Sequence, residues 1–179
     1  MHLQPITAAD LPEILALNQE HLPHVGTLDA PALHALWQSA AVAVQLRDDQ
    51  GLAGFVLAMA PTARYASPNF QWFCRRGGDF LYVDRIAVAR RCFGQGAGRR
   101  LYQAVFAAAH QGGFASVTCE VNTLPPNPDS LAFHTRLGFA QVGELIHVPG
   151  EKAVAMLEVA VHPAGPQPAR TIDGTSQPA

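Results

Sequence analysis

The feature that most constrains the fold is a strand, a glycine-rich loop and a helix that follow one another in residues 81–102, LYVDRIAVARRCFGQGAGRRLY. Residues 81–88 are mostly apolar or β-branched in a short run bounded by charge, which predicts a strand. Gly94, Gly96 and Gly98 then stand at alternate positions, and residues 97–112 have the pattern of a helix. Glycine allows the backbone to approach a ligand closely, and the free N–H groups at a helix start attract an anion. Three alternating glycines exceed what a turn before an ordinary helix requires, so we predict a phosphate-binding loop.

The loop does not match two well-known nucleotide-binding patterns. A dinucleotide fingerprint, G-x-G-x-x-G, needs its third glycine at position 99 or 101, where this chain has Arg99 and Leu101. A P-loop needs G-x-x-x-x-G-K-[ST], but the single lysine, Lys152, lies far away in the sequence. A nicotinamide-dependent oxidoreductase and a P-loop enzyme are therefore disfavoured.

Composition and charge narrow the classes of protein. The chain has 179 residues, of which 49% are hydrophobic and 15% charged, and this suits one domain with a substantial core. The net charge of -2 gives no general attraction to nucleic acid or to an anionic membrane, so we expect neither as a partner. The N-terminus lacks a signal-peptide pattern, and no apolar run reaches the length of a membrane span. Neither the three cysteines nor the histidines have metal-ligand spacing, so we predict free thiols in a reduced, cytoplasmic setting and no metal.

Periodicity and turn signals predict the order β-α-α-β-β-β-α-β-α-β-β for residues 2–161. The connection 61–79 is long and aromatic, which is typical of a functional loop, and the alternative is a short helix that packs Phe70 and Phe73 on the core. The fifth strand is predicted at residues 116–121, and the helix after it from Asp129 or Ser130 through Leu137. Residues 163–179 lack periodicity and are rich in proline and small polar residues, so we predict a disordered tail.

Two motifs carry a resemblance to a known family. The stretch 81–102 resembles motif A of the GNAT superfamily of N-acetyltransferases, in which Q/R-x-x-G-x-G/A follows the fourth strand and wraps the pyrophosphate of acetyl-coenzyme A (acetyl-CoA). Residues 127–139, NPDSLAFHTRLGF, are similar to the family's element N-x-x-[AS]-x-x-[FL]-Y-x-x-x-G-F. The two motifs stand in the family's order and spacing, and the resemblance covers residues 2–161.

Two registers of motif A fit the sequence. Arg91, Gly94 and Gly96 satisfy the pattern literally. Counting from the end of the strand, however, the family's glycine pair falls on Gly96 and Gly98, with Phe93 where glutamine or arginine is usual. We prefer the second register, because the distance from the strand fixes where the helix begins.

The resemblance implies a GNAT fold of the α/β (α+β) class, with a mixed, mostly antiparallel sheet of six to seven strands and helices on both faces. It places a GNAT acetyltransferase domain at residues 1–162, before the tail at 163–179. The pantetheine arm of the coenzyme is expected to insert between the splayed fourth and fifth strands, and the pyrophosphate to rest on the glycine loop. The implied coenzyme-binding residues are Ile86, Ala87, Val88, Phe93, Gly94, Gln95, Gly96, Ala97, Gly98, Arg99 and Asn127, with Arg99 or Arg100 adding charge.

Two side chains are candidates for acid–base chemistry. Glu120 is a carboxylate within an apolar strand, which costs free energy unless the group is paired or used, and the resemblance aligns it with a base of ribosomal-protein alanine N-acetyltransferases. His134 stands where the family usually has tyrosine, and we expect it to donate to the departing thiolate. Asp84 on the central strand is the competing base. The alternative for Glu120 is a salt bridge, for example with Arg85, and for His134 it is an ordinary helix-surface histidine.

The resemblance also implies an activity, which is transfer of acetyl from acetyl-CoA to a primary amine of a small molecule or of a peptide or protein N-terminus. We expect the loop 21–28, the segment 65–76 and the last two strands to frame the acceptor, with contacts from Tyr65, Trp72 and Asp84. The competing hypothesis is a non-catalytic module that senses acyl-CoA. A homodimer through the last strands would fit either hypothesis.

Overall fold

A computed structural model describes residues 1–161, so the predicted tail at 163–179 lies outside the described residues. Short 3₁₀ helices occur at Ala8–Asp10 and Arg90–Cys92. The longer elements, in chain order, are β1 (His2–Pro5), α1 (Leu11–Glu20), α2 (Ala30–Ser39), β2 (Val42–Asp48), β3 (Gly51–Met59), α3 (Pro68–Arg76), β4 (Phe80–Val88), α4 (Ala97–Gln111), β5 (Ser116–Leu124), α5 (Pro128–Arg136), β6 (Ala140–Val148) and β7 (Lys152–Ala160). The predicted order is confirmed, with α3 added in the long connection.

The strands form one mixed sheet in the order β1-β2-β3-β4-β5-β7-β6. The pair β4–β5 is parallel, and every other neighbouring pair in the described chain is antiparallel. Parallel neighbours need a crossover connection, which α4 provides between β4 and β5. The predicted sheet and its predominantly antiparallel pairing are therefore confirmed.

Helices cover both faces of the sheet, and each face has its own hydrophobic core. On one face, α1, α2 and α3 bury residues such as Ile14, Leu33 and Phe70. On the other face, α4 buries Leu101 and Val105 against the strands, and α5 packs beside it. Because side chains alternate along a strand, each central strand contributes residues to both cores. No helix in the described part of the chain is long and apolar enough to cross a membrane.

The connection 61–79 contains the short helix that was the alternative to a loop. The Ser67 side chain accepts a hydrogen bond from the backbone N–H of Phe70, and Pro68 occupies the first turn, where its missing N–H costs nothing. The helix ends at Gly77, whose φ of 80° favours glycine. Phe70 and Phe73 are 0% and 2% exposed and fill the core beneath the helix. This helix positions part of the site described below.

Two predicted boundaries near the second motif were wrong. Strand β5 continues to Leu124 rather than ending at residue 121, because Asn122 and Leu124 still pair with β7. Helix α5 begins at Pro128 rather than at Asp129 or Ser130, since Asn127 caps it by accepting a hydrogen bond from the backbone N–H of Ser130. The longer strand carries one wall of a gap in the sheet.

Candidate active site

A gap opens between β4 and β5 halfway along the two strands. They pair only where residues 80–83 of β4 face residues 116–119 of β5. Beyond that point, within residues 1–161, β5 pairs with β7 alone and residues 85–88 of β4 pair with β3 alone. Backbone polar groups on the gap side of β4 therefore lack a strand partner, and an extended ligand can complete the sheet there.

The hydrogen-bond alternation of β4 decides which backbone groups face the gap. The N–H of Ala89 donates to the carbonyl of Ala53 on β3 at 2.9 Å. Hydrogen-bonded and non-hydrogen-bonded pairs alternate along an antiparallel ladder, so Ala87 also points its N–H and C=O at β3. Ile86 and Val88 consequently direct theirs into the gap.

The glycine loop ends at the mouth of this gap and leads into α4. Gly96 is the residue before the helix and has a left-handed φ of 79°, which glycine adopts without strain. The first helical N–H groups, those of Ala97 to Arg99, have no intrahelical acceptor and point out of the helix start. Gly98 has a packing role, because a Cβ there would lie 3.0 Å from the Phe133 ring on α5. Loop and helix start together present free backbone N–H groups, an arrangement that attracts anions.

The arginines around the loop play different parts. Arg91 donates to the Asp48 carboxylate at 2.6 Å and to the carbonyl of Leu52, so its side chain is committed to the β2–β3 hairpin. This geometry favours the register with Gly96 and Gly98 over the one that uses Arg91. Arg99 is exposed and Arg100 half-buried, and neither forms an ion pair within residues 1–161.

Glu120 lies on β5 just past the point where the strands separate, on the α1–α3 face of the sheet. Its Oε2 accepts a hydrogen bond from the Tyr82 hydroxyl at 2.7 Å. Burial and the nearby charge of Asp84 raise the pKa of Glu120 to about 7, although hydrogen bonds from Tyr82 and Asn69 act in the opposite direction. A carboxyl with a pKa near 7 is matched to proton removal at neutral pH.

Asp84 has a different environment from Glu120. Its Oδ2 pairs at 2.8 Å with the Nε of Arg85, and the side chain of Arg85 also donates to Asn18 Oδ1 and to the carbonyl of Gly26. The predicted alternative, a salt bridge between Glu120 and Arg85, is therefore wrong, since Arg85 pairs with Asp84. Tyr65 lies beside this pair: burial, followed by the charge of Asp84, raises the pKa of its phenol.

His134 lies on the opposite face of the sheet from Glu120 and is 3% exposed, so it is not a surface histidine. Its Nδ1 is 2.7 Å from the carbonyl of Ser130, and its Nε2 is 2.7 Å from the Tyr102 hydroxyl. A carbonyl only accepts, so Nδ1 carries the proton and Nε2 of the neutral ring accepts from Tyr102. Burial lowers the pKa of His134, which favours this neutral form.

Two other predicted side chains have structural partners. The Asn127 Oδ1 caps α5, which leaves its amide nitrogen to face other groups. Trp72 packs its ring on β6 against Gly143, where a Cβ would clash with it, and it makes an edge contact with Phe73. Trp72 thus fastens α3 to the edge of the sheet, and its predicted contact with the acceptor stays a prediction.

Comparison with known families decides what this arrangement belongs to. The sequence model described as the Acetyltransferase (GNAT) family matches residues 11–139. The chain belongs to the GNAT acetyltransferase family. It is accordingly an acetyl-CoA-dependent N-acetyltransferase, as the motifs predicted. A search of curated protein sequences finds no match to this GNAT domain.

Solved structures share the fold of this GNAT domain at low sequence identity. The ribosomal-protein-S18-alanine N-acetyltransferase of Escherichia coli is 17% identical with a TM-score of 0.69, over 92% of this chain and 96% of that one. Naa20 of Chaetomium thermophilum, solved with a bisubstrate analogue, is 17% identical with a TM-score of 0.71, over 89% and 86%. The yncA protein of Salmonella typhimurium, solved with its cofactor acetyl-CoA, is 14% identical with a TM-score of 0.67, over 94% and 98%.

Sequence reasoning missed several residues of the GNAT domain's site. His21, at the end of α1, donates from Nε2 to the gap-facing carbonyl of Val88 at 2.9 Å. Tyr82 donates to Glu120, and His147 bonds to Asn69 across β6 and α3, and no local pattern distinguishes these residues in the sequence. Their contacts join residues far apart in the chain, so only the fold brings them together. Among residues 1–161, no group of His, Cys, Asp or Glu side chains is arranged to hold a metal ion.

Proposed function

We propose that this enzyme transfers the acetyl group of acetyl-CoA to a primary amine of a small molecule or of a peptide or protein N-terminus, by direct attack. The observation that carries the proposal is Glu120 at the opening of the gap, where burial and Asp84 raise its pKa to about 7. At that pKa the carboxylate can take a proton from an ammonium group and leave a nucleophilic amine.

Acetyl-CoA would lie along the glycine loop and into the gap. The loop residues 93–99 supply backbone N–H groups to the pyrophosphate, and Arg99 or Arg100 adds positive charge. We assign the side-chain amide of Asn127, at the start of α5, to the coenzyme as well. The pantetheine arm pairs with the backbone groups of Ile86 and Val88 that point into the gap. Ala87 lies between them, but its own backbone groups are bonded to β3 and are not free for the coenzyme. Phe93 is 59% exposed beside this path and offers an apolar contact.

The reaction then proceeds on the two sides of the gap. Glu120 removes a proton from the acceptor, the amine nitrogen attacks the thioester carbon, and an N–H of β4 stabilises the resulting oxyanion. Collapse of the tetrahedral intermediate breaks the C–S bond and releases the sulfur as a thiolate, which is a fair leaving group because a thiol pKa is about 8.5. The thiolate then takes up the second proton of the amine nitrogen, which gives the neutral amide and the free thiol of the coenzyme. We assign the hydrogen bond for that sulfur to the Tyr102 hydroxyl, which leaves Nε2 of His134 at this step, because the one N–H of neutral His134 already donates to the carbonyl of Ser130.

The two carboxylates have separate proposed roles. Among residues 1–161 Glu120 has no cationic partner, and it serves as the base, whereas Asp84 is paired with Arg85 and contributes negative charge that attracts an ammonium group. Tyr65 lies next to Asp84, and we assign Tyr65, Trp72 and Asp84 to the acceptor side. When two neighbouring carboxyl groups have such different surroundings, they commonly take different roles, one as the base and the other as a source of charge.

The test is a panel of amines and peptides incubated with acetyl-CoA and assayed for free thiol. We expect at least one acceptor to respond, and Glu120→Gln to lower kcat/KM at least 100-fold, since general-base help is worth about 100 to 10,000 in rate. Glu13→Gln is the matched control, because Glu13 pairs with Arg47 on the surface. Coenzyme binding without transfer to any acceptor would instead favour the acyl-CoA-sensing module.

A further inference from the structure

One side-chain hydrogen bond crosses from β4 to β5 just beyond the point where the two strands stop pairing. The last backbone pair between them is Val83 with Cys119, and we call this point the fork. Glu120 is the next residue on β5, and the Tyr82 hydroxyl on β4 donates to its Oε2 at 2.7 Å. The reaction proposed above uses Glu120 as the base and gives Tyr82 no role.

The phenol is the donor in this hydrogen bond. An ionised carboxylate only accepts, so the shared proton belongs to the Tyr82 hydroxyl. Burial raises the pKa of Tyr82 well above its ordinary value, and the charge of Glu120 adds to the effect, so the hydroxyl keeps its proton throughout the pH range of an assay. Tyr82 therefore donates to Glu120 and does not itself take the proton of the acceptor.

The ring of Tyr82 is fixed by packing from α3 and by both neighbouring strands. It is 0% exposed, and its centroid lies 5.4 Å from that of Phe70 and 5.9 Å from that of Phe73. The backbone of Tyr82 pairs with Met59 on β3 and with Thr118 on β5. A side chain in a core packed at this density keeps one rotamer. The hydroxyl consequently points to one place.

Glu120 lies where its strand has a neighbour on one side only. Beyond the fork β5 pairs with β7, and the residue opposite Glu120 is Met156, whose thioether donates no hydrogen bond. A glutamate side chain has several staggered rotamers, whereas a base must be held within about 0.5 Å of its productive position. The rigid hydroxyl of Tyr82 supplies an anchor of that kind.

We propose that Tyr82 is a positioning residue, which holds Oε2 of Glu120 at the fork and so directs the other oxygen, Oε1, to the acceptor amine. The inference rests on the proposed function, because it takes Glu120 as the base. The proton of the acceptor moves to Oε1, while the hydroxyl keeps its own proton and its bond to Oε2. A hydrogen bond to a carboxylate is stronger than one to a neutral carboxyl, so the same contact favours the ionised base.

Other titratable groups around Glu120 set the background for its ionisation. Asp84 on β4 carries negative charge and raises the pKa of Glu120. The hydrogen bond at Oε2 acts in the opposite direction and offsets part of this effect. The other titratable neighbours stay neutral because burial raises the pKa of each, and they are Tyr65, Tyr102 and Cys119.

The experiment compares Tyr82→Phe with wild type in the pH dependence of kcat/KM, with acetyl-CoA and the best acceptor of the panel. Phenylalanine keeps the buried ring and removes only the hydroxyl. We expect the acidic limb to move up by about 1 pH unit, because the ionised carboxylate loses a donor. Ionisation of the acceptor is the same for both enzymes and cancels in the ratio of the two profiles.

The orientation of Glu120 has its own readout at high pH, where the carboxyl is ionised in both enzymes. There kcat of Tyr82→Phe should fall at least about 3-fold, since misplacement of a reacting group by about 1 Å can cost about 100-fold. At pH 6 the loss should be about 10-fold larger than at pH 10, as the shifted limb requires. The Kd of acetyl-CoA should stay within about 2-fold of wild type, since the coenzyme pairs with other residues.

Two comparisons separate positioning from a purely structural role. Val105→Ala opens a cavity in the core on the other face of the sheet, and it should lower Tm without moving the acidic limb. In a Glu120→Gln background, Tyr82→Phe should shift the profile no further, because the ionisable partner is gone. A lower Tm of Tyr82→Phe with the limb and kcat of wild type would show that the hydroxyl only stabilises the fork, and would overturn the proposal. A rise in the Kd of acetyl-CoA equal to the whole loss of kcat/KM would overturn it as well.

A measurement without an acceptor keeps this inference distinct from the proposed function. Carboxyl ¹³C NMR of the glutamate-labelled protein, with the Glu120 signal assigned from Glu120→Gln, reports the pKa of Glu120 directly. We expect an upward shift of about 1 unit in Tyr82→Phe. No shift would overturn the role of Tyr82 whatever the activity, whereas a shift without transfer to any acceptor would support the contact and refute the proposed activity.

Discussion

At Glu120, one carboxyl group is both costly to the fold and suited to the chemistry. The sequence indicates the cost in free energy, because an acidic residue interrupts an apolar strand. The fold then determines the pKa of this carboxyl through the groups that it places around Glu120. Burial is the main cause of its raised pKa, the charge of Asp84 adds to it, and the Tyr82 hydroxyl only partly offsets it. The same desolvation that makes the carboxylate a stronger base makes its ionised form less stable in the folded state.

The stability of the protein should therefore depend on pH through Glu120. Its pKa is raised from 4.5 to about 7, so between these values the folded state holds a proton that the unfolded chain has released. The free energy of unfolding then falls as pH rises through this window and levels off above pH 7. Glu120→Gln lacks this loss, and its stability relative to wild type should increase by about 3 kcal/mol from pH 4.5 to pH 8. Denaturant unfolding at both pH values measures the difference, and an equal difference at both would contradict it.

His134 shows how a partner changes the meaning of a residue. The sequence placed it at the position of the family's tyrosine, but it could not reveal that Tyr102 on α4 would occupy its Nε2. With Nδ1 bonded to Ser130, the neutral ring has no N–H left for another acceptor. We therefore assign any hydrogen bond to the sulfur to the Tyr102 hydroxyl released from Nε2, and spacing alone could not have identified Tyr102 as part of the proposed site.

At the scale of elements, β4 serves two neighbours at once. Within residues 86–89, Ala87 and Ala89 direct their backbone groups to β3, whereas Ile86 and Val88 direct theirs to the gap. The strand was predicted correctly from its apolar pattern, but the direction of each N–H group depends on the register with β3. That register places Ile86 and Val88 toward the gap and Ala87 toward β3.

Hydrogen exchange can test this register. On binding of acetyl-CoA, the N–H groups of Ile86 and Val88 should exchange at least about 10-fold more slowly, because they gain partners worth about 1.4 kcal/mol or more. The N–H of Ala87 already pairs with β3 and should change little, and Leu46 on β2 serves as a remote control. Protection gained at Ala87 and not at its neighbours would refute the register.

The added helix α3 is an element that the sequence left undecided between a loop and a helix. Its two phenylalanines lie one turn apart and face the core, while Asn69 and Trp72 lie toward the acceptor side and β6. A short helix with few local signals is stabilised mainly by the face that it buries. Its formation was therefore decided by the core beneath it.

At the scale of the whole molecule, the gap lies between two cores and has different chemistry on each side. The α1–α3 side carries Glu120 and Asp84, and the α4–α5 side carries His134 and Tyr102. In the proposed reaction the acceptor therefore enters from the first side and the sulfur departs toward the second, so the two paths do not overlap. The edge strand β6 exposes Ile146 and Val148, and a dimer through the last strands stays a prediction, as does a cytoplasmic location.

Binding of the coenzyme should stabilise the whole domain. At a concentration about 100 times its Kd, acetyl-CoA adds about 2.7 kcal/mol to the free energy of unfolding, which raises Tm by about 5 to 10 °C in a domain of this size. Differential scanning fluorimetry measures the shift, and replacement of Arg99 and Arg100 by alanine should reduce it at the same coenzyme concentration. NADH should give no shift, and a shift with NADH but none with acetyl-CoA would contradict the assignment of the loop.

The sequence by itself determined the order of the elements, the glycine loop with its helix start, and the family, because these depend on local periodicity and on residues that lie close together in the chain. The tertiary structure decided that Arg85 pairs with Asp84 rather than Glu120, that Tyr102 bonds to His134, and that Tyr82 bonds to Glu120. Such contacts join distant segments across packed layers, and their geometry is set by strand register and burial, which no local pattern encodes.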